Sequence, residues 1–209
     1  MFFEYGEKEM LYLAKKDKRL CEIIERRGKI TREVQPDIFV GIVESIVGQQ
    51  ISTKAQQTIC KRIQNQIGQI TPETICNTDL QALGISGRKS AYIKNIANEI
   101  IDNRLDINSL HNLSDSKIIE RLTTLKGIGV WTAEMLMIFS LQRPDILSYS
   151  DLAIQRGLRM LYHHREITVP LFQKYKKRYS PYASIASFYL WEIANGAFPE
   201  MKDYAYPKK

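Results

Sequence analysis

The sequence contains little cysteine and no long apolar run. Its three cysteines, Cys21, Cys60 and Cys76, are widely spaced and form no Cys-x-x-Cys pair, so neither a disulfide framework nor a zinc or iron–sulfur site is indicated. No stretch approaches the roughly 20 apolar residues that a membrane-spanning helix requires, and no basic leader precedes an apolar run at the start. We therefore expect an intracellular protein without membrane contact.

Strand-like alternation is nearly absent as well, and there is no internal repeat or low-complexity linker. Helical periodicity recurs instead, which predicts an all-α fold. A chain of 209 residues, 44% hydrophobic and 25% charged, can form one globular unit or two small subdomains. The excess of 30 Lys and Arg over 23 Asp and Glu, a formal charge of +7, suits a polyanionic partner such as nucleic acid.

Capping residues and apolar periodicity locate most of the predicted helices. The segments are 7–27, Pro36 to about Gly48, a helix after Ser52, a short one from Thr71, one after the turn at 84–87, one from 114 or 115, DLAIQRGLRMLY and PYASIASFYLWEIAN. Between them, LTTLKGIGVWTAEMLMIFSL predicts a helix, a tight turn and a second helix that is apolar on nearly all sides. The tail 201–209 is expected to be a mobile end.

The turn Leu125-Lys126-Gly127-Ile128-Gly129 has the residue types that present backbone amides to a phosphate. Two glycines separated by one residue permit positive φ and close approach of an anion, and Ile128 can anchor the turn in the core. The helix that follows would direct its N-terminal amides and dipole at the same anion. An ordinary tight turn between two packed helices explains the same pattern equally well.

Three segments together resemble the helix-hairpin-helix superfamily of DNA glycosylases, which includes endonuclease III and the alkylation-repair enzymes. They are LKGIGVWTAEMLMIF followed by YSDLAIQRG, then SIVGQQISTKAQQTI, and LGISGRKSAYIKNIA, and they cover roughly residues 35–160. Within the superfamily the sequence is most similar to the 3-methyladenine DNA glycosylase II type, in a short form without the added N-terminal β domain. The four-cysteine cluster of endonuclease III is missing, so no iron–sulfur cluster is expected.

The resemblance implies an all-α helix-hairpin-helix DNA glycosylase fold, with two helical subdomains and the active site in the cleft between them. We expect a six-helix core over 35–160, which carries the hairpin and the catalytic aspartate, and a second subdomain formed by 1–34 plus 161–209. The resemblance further implies a monomer that acts on double-stranded DNA with damaged bases. Its location would be cytoplasmic, near the nucleoid, in a bacterium and nuclear in a eukaryote.

Asp151 matches the catalytic aspartate of the superfamily. Cleavage of an N-glycosidic bond builds positive charge on the deoxyribose, and a nearby carboxylate stabilises that charge while it orients or deprotonates the attacking water. The local sequence by itself favours another role for Asp151, the N-cap of the helix that begins at Leu152.

Lyase members of the superfamily carry a Schiff-base lysine two positions after the second hairpin glycine, where this chain has Trp131. The resemblance therefore implies hydrolysis without strand cleavage, and it places Trp131 against the flipped base, although the core would also suit a tryptophan. An aromatic wall favours cationic N3- or N7-alkylated purines. Tyr149 and Tyr182 are further candidates for this pocket, whereas Trp191 is expected in the core beside Phe188.

A flipped base leaves a gap in the DNA that must be filled. Gln49, Gln50 and Ile51 resemble the segment with which the superfamily fills it, and Gln50 matches the inserted residue best. A polar surface turn would give the same local pattern.

Further candidates for DNA contact are basic. Besides hairpin residues 126–129, the side chains that would line the phosphate path are Lys54, Arg88, Lys89 and Lys94, each of which would also suit a solvated face. No organic cofactor is implied. The resemblance does suggest that the carbonyls of Thr123, Leu125 and Ile128 hold a monovalent or alkaline-earth ion that bridges to phosphate.

The expected activity is the release of alkylated purines, such as 3-methyladenine and 7-methylguanine, from duplex DNA at the start of base excision repair. Two alternatives stay open. One is a glycosylase for another lesion, namely uracil, mismatched thymine or hypoxanthine. The other is a non-catalytic helix-hairpin-helix DNA-binding protein, which would need neither Asp151 nor an aromatic pocket.

Overall fold

A computed structural model describes residues 1–205 of the chain, and this part is helical. It contains eleven α-helices and one 3₁₀ helix, and its β pairing is limited to an isolated bridge between Phe2 and Glu33. The predicted all-α class is confirmed. Within the same residues no helix is long and apolar enough to cross a membrane.

The helices follow one another along the chain. They are α1 (Glu7–Lys16), α2 (Lys18–Arg27), α3 (Ile38–Gly48), α4 (Thr53–Ile67), α5 (Pro72–Cys76), α6 (Gly87–Ile101), α7 (Asp115–Thr123), α8 (Val130–Phe139), α9 (Leu152–Tyr162), α10 (Val169–Tyr179) and α11 (Ala183–Ala194), with the 3₁₀ helix Asn108–Asn112 between α6 and α7.

The chain divides into two compact units. Unit 1 comprises Met1–Val34 and the described residues from Gln142 onwards, and unit 2 comprises Gln35–Leu141. The second boundary therefore lies at 141 rather than at the predicted 160. The reason is that α9 packs on α11, so closely that a Cβ at Gly157 would collide with the carbonyl of Leu190. As a result Asp151 belongs to unit 1, whereas the hairpin belongs to unit 2.

The helices α3 and α8 supply much of the apolar core of unit 2. Leu136, Met137 and Ile138 of α8 are buried on different sides of the helix, which confirms the prediction of a helix that is apolar nearly all round. Gly41 of α3 permits a close approach of α8, because a Cβ at this position would collide with the Ser140 hydroxyl.

Local capping chemistry explains where several helices begin. The side chains of Asp37, Ser52 and Thr71 cap α3, α4 and α5. The sequence predicted Ser52 as a cap and the start of a short helix at Thr71, and both predictions are confirmed. The single helix predicted over 7–27 is instead two helices. Asp17 interrupts it with an extended backbone (φ −148°), and its side chain accepts a hydrogen bond from the Leu20 amide to start α2.

Two segments of unit 1 differ from the expectation. The helix α10 was not predicted, because its run of Lys and Arg obscures a buried face formed by Phe172, Tyr175 and Tyr179. The start of the tail is attached rather than mobile, since Asp203 accepts hydrogen bonds of 2.8 and 2.6 Å from the Arg159 guanidinium. Residues 206–209, where the rest of that prediction falls, lie outside the described residues.

Candidate nucleic-acid interface and active site

A tight turn joins α7 to α8 in unit 2. The Ile128 amide donates to the Leu125 carbonyl at 3.0 Å, and the Ile128 side chain is buried, so it anchors the turn as predicted. Lys126, Gly129 and Val130 are exposed. The turn therefore presents its backbone amides and one ammonium group to solvent.

The two hairpin glycines differ in conformation. Gly127 has φ +95°, and a Cβ on it would lie 2.6 Å from the Tyr92 ring, so both the backbone and the available space require glycine. Gly129 has φ −94° and ψ 176°, and a Cβ there would meet nothing within 4 Å. Positive φ, given as a reason for both glycines, thus applies to Gly127 and is wrong for Gly129.

Gly129 is the N-cap of α8. No described side chain caps this helix end, and the space around Gly129 is open. The first-turn amides of an α-helix have no intrahelical partner and carry partial positive charge. An anion that approached Gly129 would therefore meet exposed donors rather than a side chain.

The loop 49–51 connects α3 to α4. Gln50 lies at its tip, exposed and in the left-handed region (φ +58°), a conformation that costs a non-glycine residue energy unless its surroundings hold it. Ile51 is also exposed. Gln49 turns inward, and its side-chain amide donates to the Gly127 carbonyl at 2.8 Å.

Lys89 holds the same loop from α6. Its ammonium donates to the carbonyls of Val47 and Gln49 at 2.8 and 2.6 Å. Burial, with a contribution from the neighbouring Arg88 charge, lowers the pKa of Lys89. Lys89 was predicted to line a phosphate path. In the structure, its ammonium group instead makes hydrogen bonds within the protein.

Trp131 stands at the beginning of α8, 45% exposed, and lines a cavity of about 370 Å³ within unit 2. The walls include Met135 and Phe139 of α8 together with Gln49 and Gln50. An aromatic and sulfur-containing wall beside amide side chains can pack against a planar heterocycle and offer it hydrogen bonds. The structure therefore places Trp131 at an accessible cavity rather than in the core.

In unit 1, Asp151 is the N-cap of α9 and is only 7% exposed. Its Oδ1 accepts hydrogen bonds from the amides of Ala153 and Ile154, both at 2.9 Å. Its Oδ2 accepts a hydrogen bond from the indole Nε1 of Trp191 at 3.3 Å. The carboxylate is consequently fixed at both oxygens.

Trp191 was missed as a site residue. The apolar pattern of α11 predicted a core position beside Phe188, and the two rings do lie 5.9 Å apart, but Trp191 is only partly buried and its N–H turns to Asp151. A tryptophan carries an indole donor that must find an acceptor, which was the available signal.

The two candidate tyrosines have different surroundings in unit 1. Tyr149 lies two residues before Asp151, partly exposed, with its hydroxyl donating to the Ile167 carbonyl at 3.2 Å. Tyr182 precedes α11, and its ring packs edge-on against Tyr12 at 5.2 Å. Tyr149 is therefore near Asp151 in the chain, whereas the contacts of Tyr182 are with α1.

The other basic candidates fall into two groups, those exposed to solvent and those bonded within the protein. Lys54 and Arg88 are exposed near the beginnings of α4 and α6. Lys94 instead donates to the Cys76 carbonyl at 3.1 Å, at the end of α5. Lys54, Arg88 and Lys126 are thus available to a polyanion, and Lys94 is engaged within unit 2.

The three carbonyl groups predicted to hold an ion are chemically suitable ligands. Thr123 ends α7, where helix carbonyls lack partners from a following turn, and the Leu125 carbonyl accepts the Ile128 amide but keeps a second lone pair. Such oxygens suit a hard cation. Side-chain groups of His, Cys, Asp and Glu able to hold a metal are absent from residues 1–205.

The same arrangement of helices occurs in solved structures. DNA-3-methyladenine glycosidase from Bacillus halodurans superposes with a TM-score of 0.83 at 36% identity, over 96% of this chain and 95% of that chain. The 3-methyladenine DNA glycosylase of Schizosaccharomyces pombe, in complex with abasic DNA, superposes with a TM-score of 0.74 at 31% identity, over 88% and 95% of the two chains. The fold is that of DNA glycosylases.

Sequence comparison leads to the family. DNA-3-methyladenine glycosylase 1 of Schizosaccharomyces pombe is 32% identical over 198 residues, which cover 91% of this chain and 85% of the relative. The model of the HhH-GPD superfamily of base excision DNA repair proteins matches residues 43–181. The chain belongs to this superfamily, which confirms the resemblance, and the match includes loop 49–51, the hairpin and Asp151.

Proposed function

We propose that this chain is a monofunctional DNA glycosylase, which hydrolyses the N-glycosidic bond of alkylated purines in duplex DNA and so begins base excision repair. The observation that carries the proposal is the buried Asp151 carboxylate, held by two helix amides and the Trp191 indole. Relatives at 32% and 36% identity over most of this chain are named as 3-methyladenine glycosylases, which supports the substrate class.

Asp151 supplies the electrostatic part of the mechanism. As the base leaves, positive charge develops on the deoxyribose, and a fixed carboxylate stabilises it without reorganisation of its own. Asp151 also orients or deprotonates the water that attacks the sugar carbon. The protein needs no organic cofactor for this chemistry.

Trp131 supplies the selectivity for cationic bases. A purine alkylated at N3 or N7 carries a positive charge, and an aromatic face attracts it by about 1–2 kcal/mol when water is excluded. Such a base is also a good leaving group, so the site needs no general acid. The cavity beside Trp131, lined in part by Phe139 and Gln50, is where we place the flipped base.

DNA is held by backbone amides and by insertion. The N-terminal amides of α8, around Gly129, bind a phosphate, while Lys126 and Arg88 contribute charge. Gln50, at the tip of loop 49–51, fills the gap that the flipped base leaves. None of these contacts reads the base sequence, which suits an enzyme that must find lesions anywhere.

We further propose an ion site at the hairpin and a cellular location. The carbonyls of Thr123, Leu125 and Ile128 would hold a monovalent or alkaline-earth cation, which would neutralise part of the phosphate charge. The protein acts as a monomer where the DNA is, at the nucleoid of a bacterium or in the nucleus of a eukaryote.

The direct test is base release. Duplex DNA treated with a methylating agent is incubated with the protein, and the released bases are separated by chromatography; we expect 3-methyladenine and 7-methylguanine. Asp151→Asn should fold and bind DNA but lose release, at a cost of about 3–5 kcal/mol in transition-state stabilisation. Near-normal turnover by a folded Asp151→Asn variant would remove Asp151 from the mechanism. If the protein released only uracil or hypoxanthine, from duplexes that contain those bases, the proposed substrate class of alkylated purines would be wrong.

A further inference from the structure

Loop 49–51 is tied to two other parts of unit 2 at once. From α6, the Lys89 ammonium donates to the carbonyls of Val47 and Gln49. Toward the hairpin, the Gln49 side-chain amide donates to the Gly127 carbonyl at 2.8 Å. The residue that begins the loop is therefore bonded on both its backbone and its side chain.

One face of α6 contacts both loop 49–51 and the hairpin. Lys89 and Tyr92 are three residues apart, so they lie on the same side of the helix. Lys89 holds the loop, and the Tyr92 ring packs so tightly on Gly127 that no Cβ would fit between them. The loop and the hairpin thus rest on a single rigid element and are also joined directly through Gln49.

The contact of Lys89 is stronger than that of a neutral donor. It is charge-assisted, and it lies at the C-terminal end of α3, where the helix carbonyls carry partial negative charge. An ammonium has three N–H donors, and two of them are engaged here. A DNA phosphate would compete with the loop for this group.

We infer that Lys89 and Gln49 are positioning residues that couple gap filling to phosphate binding, by locking loop 49–51 to the hairpin at Gly127. This inference rests on the proposed function, because it assumes that the loop enters DNA. These hydrogen bonds keep Gln50 in its left-handed conformation before DNA binds. Insertion of Gln50 therefore requires no ordering of the loop. When the hairpin binds a phosphate, Gln50 at the tip of the loop is already oriented for insertion into the DNA.

The experiment compares two identical substitutions, Lys89→Met and Lys126→Met. Binding is measured on an intact duplex and on a duplex with a tetrahydrofuran abasic analogue, at several salt concentrations. For Lys89→Met we expect the preference for the abasic analogue to fall about tenfold, affinity for intact DNA to stay within about twofold, and the salt slope to be unchanged. For Lys126→Met we expect weaker binding to both duplexes and a slope reduced by about one.

Further variants establish that the effect is positional. Lys89→Arg keeps donors and charge and should restore much of the preference. Gln49→Ala should lower the preference, and the double variant with Lys89→Met should lose less than the sum of the single losses, because both act on one loop. A 2-aminopurine next to the abasic analogue reports insertion by its fluorescence, and thermal melts report folding.

The outcomes are separable. A Lys89→Met variant that loses one unit of salt slope with its preference intact would make Lys89 a phosphate ligand and overturn the inference. Additive losses, or an unchanged preference in a folded Lys89→Met protein, would overturn it too. Because these assays measure binding, absence of base release by the wild-type protein would reject the proposed function without affecting this result.

Discussion

The carboxylate of Asp151 serves two purposes through its two oxygens. One oxygen caps α9 by accepting the Ala153 and Ile154 amides, and the other accepts the Trp191 indole N–H. Helix capping and catalysis, which are competing explanations for this residue at the level of sequence, are therefore compatible in the structure. The cap holds the carboxylate in place, and Trp191 sets the direction of Oδ2.

Trp191→Phe tests that orientation. The change keeps an aromatic ring beside Phe188 but removes the N–H donor to Asp151, so the carboxylate should become less well directed. We expect kcat for base release to fall about three- to tenfold, equivalent to roughly 0.7–1.4 kcal/mol, with little change in DNA affinity. Single-turnover kinetics and a binding titration measure the two quantities separately.

A double-mutant cycle provides the control. If Trp191 acts through Asp151, then Trp191→Phe should have almost no further effect in an Asp151→Asn background. An equal loss in both backgrounds would show that Trp191 contributes by another route, such as packing of α11.

Trp131 permits a prediction about the reaction products. Indole cannot form a Schiff base with the sugar, so the abasic strand should stay intact after base release, and borohydride should trap no protein on lesion DNA. Denaturing gels of end-labelled duplex, with and without alkali, show strand cleavage, and a covalent adduct would migrate as a shifted band. A borohydride-dependent adduct on lesion DNA would disprove the assignment.

At the scale of elements, the hairpin combines a conformational requirement with an open surface. Gly127 needs its positive φ and has no room for a side chain, whereas Gly129 is extended and unobstructed. A substitution at Gly129 can therefore change the electrostatics of the α8 N-terminus without disturbing the fold.

Gly129→Asp should weaken DNA binding while it preserves stability. Aspartate is a favourable N-cap, so α8 should be as stable or more stable, but the carboxylate occupies the place of a phosphate. We expect affinity for damaged and undamaged duplex to fall alike, by roughly tenfold, in fluorescence anisotropy titrations on an Asp151→Asn background.

Two neighbouring variants separate charge from structure. Gly129→Asn has nearly the same shape without the charge and should bind much better than Gly129→Asp. Gly127→Ala forces a Cβ toward Tyr92 at a positive φ and should lower the melting temperature. If Gly129→Asp binds DNA as tightly as wild type, the hairpin is a structural turn and DNA is held elsewhere.

At the scale of the whole molecule, distant parts of the sequence combine into unit 1. Glu192 of α11 accepts hydrogen bonds from Arg27 at 2.8 Å and from Arg32 at 2.7 Å, which ties the N-terminal segment to the C-terminal helix. Burial alone would raise the pKa of Glu192, but the two guanidinium groups outweigh it, so the pKa is lowered.

The direction of this shift predicts a pH dependence. The stabilisation is fully present above the ordinary glutamate pKa of about 4.3 and is lost as the pH falls through the lowered value of the folded state. Glu192→Gln should therefore reduce stability by about 1–2 kcal/mol near pH 7, or roughly 2–8 °C in melting temperature, with the difference from wild type closing below about pH 4.

Glu200→Gln is the matched control for thermal melts across pH. Glu200 pairs with Arg26 on the surface, where both side chains are about half exposed, so its loss should change the melting temperature little at any pH. A pH-independent loss in Glu192→Gln would point to altered packing of α11 instead of the ion pairs.

The sequence by itself determined the features that depend on neighbouring residues. Helix starts at Ser52 and Thr71 follow from side chains that reach amides three positions ahead, and the all-α class follows from periodicity within each segment. The hairpin and Asp151 were recognisable because their chemistry is carried by short contiguous motifs. The start of α10, with Thr168 and Pro170, gave a similar signal that the charged run after it obscured.

Tertiary structure alone decided the contacts that join residues far apart in the chain. Trp191 lies 40 residues from Asp151, Lys89 lies 40 residues from Gln49, and Arg27 lies 165 residues from Glu192. Whether a tryptophan N–H meets solvent or a carboxylate, and whether a lysine meets phosphate or a helix end, depends on which helices pack together. Periodicity identifies the buried face of a helix, but the partner of that face is selected only when the whole unit folds.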